Sequence, residues 1–257
     1  MSFVDEYVRQ IIGLEVTLYH ARARMEANSD PEALHDLRIA VRRIRSLLRP
    51  LRTRDEVIPL NTAAANVGRV TTAARDLEVM IGELQSHGYL READKRQAIL
   101  KDGYSSILKS TALDTLFTEL DNWPSAFRCA EVNGELISVK TEISKALNKR
   151  IKRLVAGLAD PGHDRHDIRI MVKNTRYLTE AFPHVSPLRK KSRVELKAVQ
   201  SALGSWHDHF QWCLKAKTET DLMPLSEEWT AASEASLAQA ESKLVSLRHH
   251  LEQDLAK

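Results

Sequence analysis

Apolar residues recur at helical spacing along almost the whole chain, and few residues interrupt that pattern. The 257 residues include only 9 glycines and 8 prolines, and aromatic residues make up 5%. This composition favours long helices over a β-sandwich or a glycine-rich nucleotide fold. A hydrophobic content of 43% is enough to bury a core. The periodicity predicts eight main helices, over residues 2–27, 31–52, 55–86, 89–110, 133–158, 163–182, 188–217 and 226–255.

One stretch near the middle of the chain breaks this periodicity. Residues 121–125 read DNWPS and are typical of a linker. Four predicted helices lie on each side of it. The sequence therefore predicts two domains, over residues 1–125 and 126–257.

A motif occurs twice, half a chain apart. Residues 35–42 read HDLRIAVR, and residues 166–173 read HDIRIMVK, at an offset of 131. The pair Arg75-Asp76 corresponds to His207-Asp208 at an offset of 132. Because the matches keep their order, they indicate an internal duplication. The predicted fold is all-α, with two four-helix bundles.

The second predicted helix carries a cationic stripe beside its apolar seam. Seven arginines and no acidic residue lie between Arg38 and Arg54. A displacement of one residue rotates a position by about 100° around a helix, so the two stripes run side by side. The apolar seam consists of Leu34, Leu37, Val41, Ile44, Leu48 and Leu51. The cationic stripe consists of His35, Arg38, Arg42, Arg45, Arg49 and Arg52.

Two helices of the second half repeat this arrangement. On the seventh helix, Gly204 interrupts the stripe and costs about 1 kcal/mol relative to alanine, so we expect a packing or close-approach reason for it. The shorter stripe of the sixth helix consists of His166, Arg169, Lys173 and Arg176. The stripe of the seventh consists of Arg193, Lys197, Gln200, Gly204 and His207.

Like charges at helix-turn spacing favour a bound anion over an ordinary solvated face. A stabilising solvated face alternates acidic and basic residues, whereas like charges three or four residues apart cost a few tenths of a kcal/mol per pair. Arginine also grips phosphate oxygens in bidentate fashion. Since a histidine heads the stripe in both repeats and titrates near neutral pH, we expect binding to depend on pH.

These motifs resemble those of the CHAD domain, the conserved histidine α-helical domain. The residues that carry the resemblance are His35, Arg38, Arg42 and Arg45, their second copy, and the LGSWHD element at residues 203–208. The resemblance implies two four-helix bundles related by pseudo-twofold symmetry, with a basic surface between them. It further implies binding of inorganic polyphosphate and association with polyphosphate granules. Asn174 and Glu180 depart from the first repeat, which predicts weaker binding by the second.

From the residues and the resemblance together we predict a non-catalytic polyphosphate-binding protein with no cofactor and no metal site. Asp36, Asp76, Asp167 and Asp208 are expected to orient basic side chains or cap helices. The predicted binding residues are His35, Arg38, Arg42, Arg45, Arg49, Arg75, His166, Arg169, Lys173, Arg176, Arg193, Lys197 and His207.

Three other functions have some support in the sequence. Basic helical faces also bind nucleic-acid backbones, so weak binding of RNA or DNA is expected, although no recognition motif or stacking platform is visible. Three His-Asp dipeptides are similar to those of metal-dependent HD phosphohydrolases, but the surrounding arginines would repel a divalent cation. A phosphotransfer histidine on a four-helix bundle is the third alternative.

The remaining features concern the protein's compartment. No apolar run approaches the roughly 18 residues of a membrane span, and the first ten residues lack the features of a signal peptide. Cys129 and Cys213 form no CxxC pair. We therefore expect a soluble cytoplasmic protein, located at polyphosphate granules and without membrane association.

Overall fold

The computed structural model describes residues 2–256, and Met1 and Lys257, the outer ends of the two predicted domains, lie outside them. Within the described residues all regular structure is helical, which confirms the predicted all-α class. No helix among them is long and apolar enough to cross a membrane. The α-helices are α1 Phe3–Glu26, α2 Ala33–Leu48, α3 Ile58–Val70, α4 Thr72–Ser86, α5 Leu90–Leu108, α6 Thr111–Val132, α7 Val139–Ala159, α8 Arg165–Ala181, α9 Lys190–Ala216 and α10 Ser226–Leu255.

The chain divides into two compact units between Glu142 and Ile143. The first unit contains α1 to α6, where four helices were predicted. One reason is a break at Thr71, which separates α3 from α4 inside the helix predicted over residues 55–86. Neither glycine nor proline marks this position, so the periodicity continues across it. The duplication of a four-helix bundle is not evident in this unit and stays a prediction.

Helix α6 occupies the predicted linker, so the interpretation of residues 121–125 as a linker is wrong. Trp123 and Phe127 are buried, their rings stack at 4.6 Å, and Phe127 stacks on Tyr7 of α1 at 5.3 Å. Pro124 lies inside the helix. It removes one backbone hydrogen bond, and the burial of the neighbouring aromatic rings offsets that loss. The domain boundary predicted between residues 125 and 126 therefore falls within a helix.

The core of the first unit uses the apolar seam predicted for α2. Leu34, Leu37 and Ile44 are completely buried, and α2 packs against α1 and α3. The phenol of Tyr7 donates a hydrogen bond of 2.7 Å to the carbonyl of Leu47, which joins α1 to α2. The basic stripe of α2 therefore lies on a helix that the core holds firmly in place.

The second unit has α7, α8, α9 and α10 around one apolar core. Ile151, Ile168, Val199 and Leu247 represent the four helices in this core, and all four are buried. Trp206 of α9 packs against this core and is only partly buried. Gly157 lets α7 approach α8 closely, because a Cβ atom there would lie 2.7 Å from Met171 Cε.

Candidate anion-binding surfaces

The basic stripe of α2 is partly exposed and partly embedded. Arg42 and Arg45 are exposed, whereas His35 and Arg38 are half-buried. The predicted stripe continues beyond the end of α2 with the half-buried Arg49, which begins a short 3-10 helix. Arg38 is held by hydrogen bonds: its Nη1 donates to the carbonyl of Gly68 at 3.0 Å and to Thr71 Oγ1 at 2.6 Å. Both acceptors belong to the junction between α3 and α4. Arg38 therefore fastens α2 to this junction.

The charged side chains of Asp76, Arg75 and Arg42 lie close enough to Arg38 to affect its pKa. Burial lowers the pKa of Arg38, the carboxylate of Asp76 opposes that effect, and the cations Arg75 and Arg42 add to it. A Cβ atom at Gly68 would lie 3.4 Å from Nη1 of Arg45. Four predicted binding residues, Arg38, Arg42, Arg45 and Arg75, therefore gather around the α3–α4 junction. We call this group the α2 cluster.

Arg75 is held in place by a carboxylate that the sequence analysis did not identify. Its Nη1 donates to Glu78 at 2.8 Å, and the hydroxyl of Tyr104 donates to the other oxygen of Glu78. The side chain of Glu78 is only 8% exposed. Nothing in the sequence marks this contact, because Tyr104 lies on α5 and Glu78 on α4.

A second basic group joins α8 and α9. The imidazole rings of His166 and His207 lie 5.1 Å apart. The pKa of His207 is lowered from 6.5 to about 4, first by burial and then by the charges of Arg169, His166 and Lys173. A neutral His207 therefore lies among cations. We call His166, Arg169, Lys173 and His207 the α8–α9 cluster.

Arg169 has surroundings in the second unit that correspond to those of Arg38 in the first. Burial lowers the pKa of Arg169, and the carboxylate of Asp208 opposes that effect. In the repeated motif, Arg169 corresponds to Arg38 and Asp208 to Asp76. Each unit therefore holds a half-buried arginine beside the aspartate that the motif places there.

The other predicted residues of the second unit lie outside the cluster or are already paired. Arg176 donates to Glu180 at 2.7 Å, so a carboxylate of its own helix engages its guanidinium. Lys197 is exposed and Arg193 half-buried on α9. Among residues 2–256, neither forms an ion pair or a side-chain hydrogen bond. A Cβ atom at Gly204 would have no atom from outside its own helix within 4 Å, so packing does not explain this glycine.

The aspartates of the motif take different positions. Asp36 pairs with Arg24 of α1 at 2.7 Å, which joins α1 to α2. At the start of α8 the capping residue is Asp164, which accepts from the backbone N–H of Asp167 at 3.0 Å. Within the described part of the chain, no three histidine, cysteine, aspartate or glutamate side chains form a group that could hold a metal ion.

Comparison with known proteins gives the class of this helical protein and then its family. A search of solved structures finds the crystal structure of the CHAD domain from the plant Ricinus communis, with a TM-score of 0.66 and 21% sequence identity. It covers 98% of this chain and 92% of that chain, which supports the fold. The CHAD domain family model matches residues 13–214, and the chain belongs to this family. No curated protein matches the sequence.

Proposed function

We propose that this protein binds inorganic polyphosphate through the α2 cluster and the α8–α9 cluster, without catalysis, and that it does so in the cytoplasm at polyphosphate granules. The CHAD family is linked in general to polyphosphate binding. The observation that carries the proposal is the α2 cluster. It groups four arginines, and three of them lie on α2, which has no carboxylate from Arg38 to its end.

The α2 cluster supports an anionic ligand because its charges repel each other. Arg42 and Arg45 are exposed at a spacing of three residues, where like charges destabilise a helix. A bound polyanion would relieve that repulsion, because its negative charges attract both arginines. Arg38 and Arg75, which are anchored by Thr71 and Glu78, supply a fixed positive potential beside the two exposed arginines.

The surroundings of the clusters favour polyphosphate over single-stranded nucleic acid. Proteins that bind single strands offer aromatic side chains on which bases stack. Tyr177, which follows Arg176 on α8, accepts a hydrogen bond from Gln200 and lies beneath the guanidinium of Arg176. Its ring is thus engaged within the protein. Polyphosphate carries no bases and needs cations alone.

The proposal of a binding protein without catalysis rests on the carboxylates. Metal-dependent phosphohydrolysis needs carboxylate or imidazole ligands that can accept a divalent cation. Asp36 of the first His-Asp dipeptide is paired with Arg24. Asp208 of the third dipeptide faces Arg169. Both carboxylates already compensate an arginine.

The test compares two neighbouring arginines of α2. Arg42 lies in the α2 cluster, whereas Arg43 is equally an exposed arginine but points about 100° away around the helix. Affinity for long-chain polyphosphate is measured across a salt series for Arg42→Glu and Arg43→Glu. We expect about a tenfold loss for Arg42→Glu, through repulsion of phosphate, and a several-fold smaller loss for Arg43→Glu.

Competition identifies the class of ligand. Single-stranded RNA is added to the complex of the wild-type protein with polyphosphate. Poor displacement supports a dedicated polyphosphate site. Equal displacement at equal phosphate concentration would contradict the proposal in favour of a general polyanion surface, and absence of polyphosphate binding by the wild-type protein would also overturn it.

A further inference from the structure

Helix α7 carries a set of cations that lies outside both clusters. Its exposed face presents Lys145, Lys149, Lys152 and Arg153 at spacings of three and four residues. The opposite face, with Ile143, Leu147, Ile151 and Leu154, is completely buried. At 1.5 Å per residue the exposed cations form a row about 12 Å long. We call these four residues the α7 ridge.

Within the part of the chain that the structure describes, no carboxylate pairs with the charges of the α7 ridge. No acidic residue occurs from Ile143 to Ala159, the part of α7 that belongs to the second unit. Among residues 2–256, none of the four side chains forms an ion pair or a hydrogen bond with another side chain. The spacing places like charges next to each other along the helix, at a cost of a few tenths of a kcal/mol per pair. Such a row indicates contact with an anion.

The composition of the ridge defines the chemistry of that anion. Helix α7 contains no aromatic residue, so it offers no surface on which a base could stack. Three of the four cations are lysines, whose flexible ammonium groups act as point charges and do not require the fixed bidentate geometry that arginine prefers. The ridge therefore suits a repetitive phosphate chain that passes it in many registers.

Helix α7 packs in the same unit as the two helices that carry the α8–α9 cluster. Ile151 and Leu154 of α7 share one apolar core with Ile168 of α8 and Leu203 of α9. The ridge and the cluster thus belong to one unit of four helices. Resting on the proposed function, we propose that the α7 ridge binds the part of a long polyphosphate chain that extends beyond the α8–α9 cluster.

The experiment separates long chains from short ones. Lys149→Gln/Lys152→Gln removes two ridge charges. The control variant Lys109→Gln/Lys217→Gln removes two exposed lysines at the ends of α5 and α9. Affinities for long-chain polyphosphate and for tripolyphosphate are measured with both. We expect the ridge variant to bind long chains about tenfold more weakly, with a salt dependence reduced by one to two ions, and to bind tripolyphosphate like the control.

Thermal unfolding of the same variants gives an independent readout. Since removal of like charges relieves repulsion, the ridge variant should melt at the wild-type temperature or above it. A loss of affinity in a protein of unchanged stability therefore reports lost ligand contact.

Each other outcome has a distinct meaning. Long-chain affinity equal to that of the control overturns the ridge proposal and leaves the proposed function intact. Equal losses for long chains and tripolyphosphate would make α7 part of the primary site and overturn its role as an extension. A loss confined to RNA would assign the ridge to nucleic acid instead. If the wild-type protein binds neither polyphosphate, the proposed function fails together with the ridge.

Discussion

The imidazole rings of His166 and His207 lie 5.1 Å apart on two packed helices of the second unit. A proton on His207 would be repelled by the charges of Arg169, His166 and Lys173. In the free protein the pKa of His207 is lowered to about 4, so its ring is neutral near pH 7. An anion bound at the α8–α9 cluster would raise the pKa of His207, because negative charge favours the protonated ring.

We therefore expect polyphosphate affinity to rise as the pH falls from 7 towards 5. The free protein holds His207 neutral in this range, whereas the complex takes up a proton at this site. Uptake of one proton strengthens binding by up to about tenfold per pH unit. Titration calorimetry in buffers of different ionisation enthalpy measures the proton directly. His207→Gln should lower the uptake by about one proton, and the exposed His184→Gln should leave it unchanged. An affinity independent of pH in the wild-type protein would refute this account.

The lowered pKa of His207 also affects the stability of the protein in the absence of ligand. The unfolded chain protonates His207 near pH 6.5, but the folded protein does so only near pH 4. Because the unfolded state binds more protons between these values, this group lowers stability as the pH falls from 6.5 to 4. Melting temperatures of wild-type protein and His207→Gln should converge above pH 7, and the variant should be the more stable of the two at pH 5.

Arg38 is expected to matter for folding as well as for binding. Its hydrogen bonds to Gly68 and Thr71 fasten α2 to the α3–α4 junction. Arg38→Ala removes the guanidinium donor from the buried hydroxyl of Thr71, whereas the carbonyl of Gly68 keeps a hydrogen bond from Thr72 Oγ1. The substitution should cost about 1–3 kcal/mol of unfolding free energy in urea titrations. The exposed Arg43→Ala should change stability by less than about 0.5 kcal/mol. Equal stability of the two variants would show that the Arg38 contacts contribute nothing.

This double role of Arg38 illustrates what the sequence can and cannot predict. Its place in a cationic stripe follows from helical periodicity alone. Its partner Thr71 does not, because the break between α3 and α4 falls at a threonine, and the nearest glycine, Gly68, lies inside α3. At Pro124 the sequence predicts a break that the structure does not have. The proline suggested a linker, yet the burial of Trp123 and Phe127 keeps α6 continuous. Local patterns predict which face of a helix is apolar, whereas long-range packing decides where helices break.

A second pH-sensitive group, Glu15 of α1, lies in the first unit beside Asp121 of α6. Burial and a hydrogen bond with Asp121 raise the pKa of Glu15 from 4.5 to about 7. A raised pKa means that the protonated form stabilises the fold at low pH, and this contribution is lost as the pH rises through 7. Glu15→Gln mimics the protonated carboxyl.

The expected result is a higher melting temperature for Glu15→Gln than for the wild-type protein at pH 8 and a similar one at pH 5. Glu119→Gln removes a charge from the same region of α6 and serves as the control. A difference between wild type and Glu15→Gln that does not vary with pH would contradict the raised pKa of Glu15.

Asp254, near the end of α10, caps the beginning of α9. Its Oδ2 accepts from the backbone N–H of Arg189 at 3.0 Å and from Ser192 Oγ at 2.7 Å. Helix α9 has no capping side chain of its own. Asp254→Ala should therefore cost about 2–3 kcal/mol of unfolding free energy. Glu252→Ala, which removes only an exposed pair with Arg248, should cost less than about 0.5 kcal/mol; similar losses in the two variants would contradict the capping role.

Replacement of Gly204 by alanine is expected to change stability and polyphosphate affinity in opposite directions. It lies inside α9, and a Cβ atom there would meet no atom within 4 Å. Gly204→Ala should therefore raise the unfolding free energy by about 0.5–1 kcal/mol, since alanine favours helix without any steric cost. Gly157→Ala is the contrast, because its Cβ would meet Met171 Cε and the gain should vanish.

With packing excluded within 4 Å, close approach of a ligand is the remaining reason for glycine at position 204. Backbone without a side chain admits an anion near His207 of the same stripe. We expect Gly204→Ala to bind polyphosphate more weakly than the wild-type protein despite its higher stability, as measured by titration alongside urea unfolding. Undiminished affinity in the stabilised variant would mean that the ligand does not pass over this part of α9.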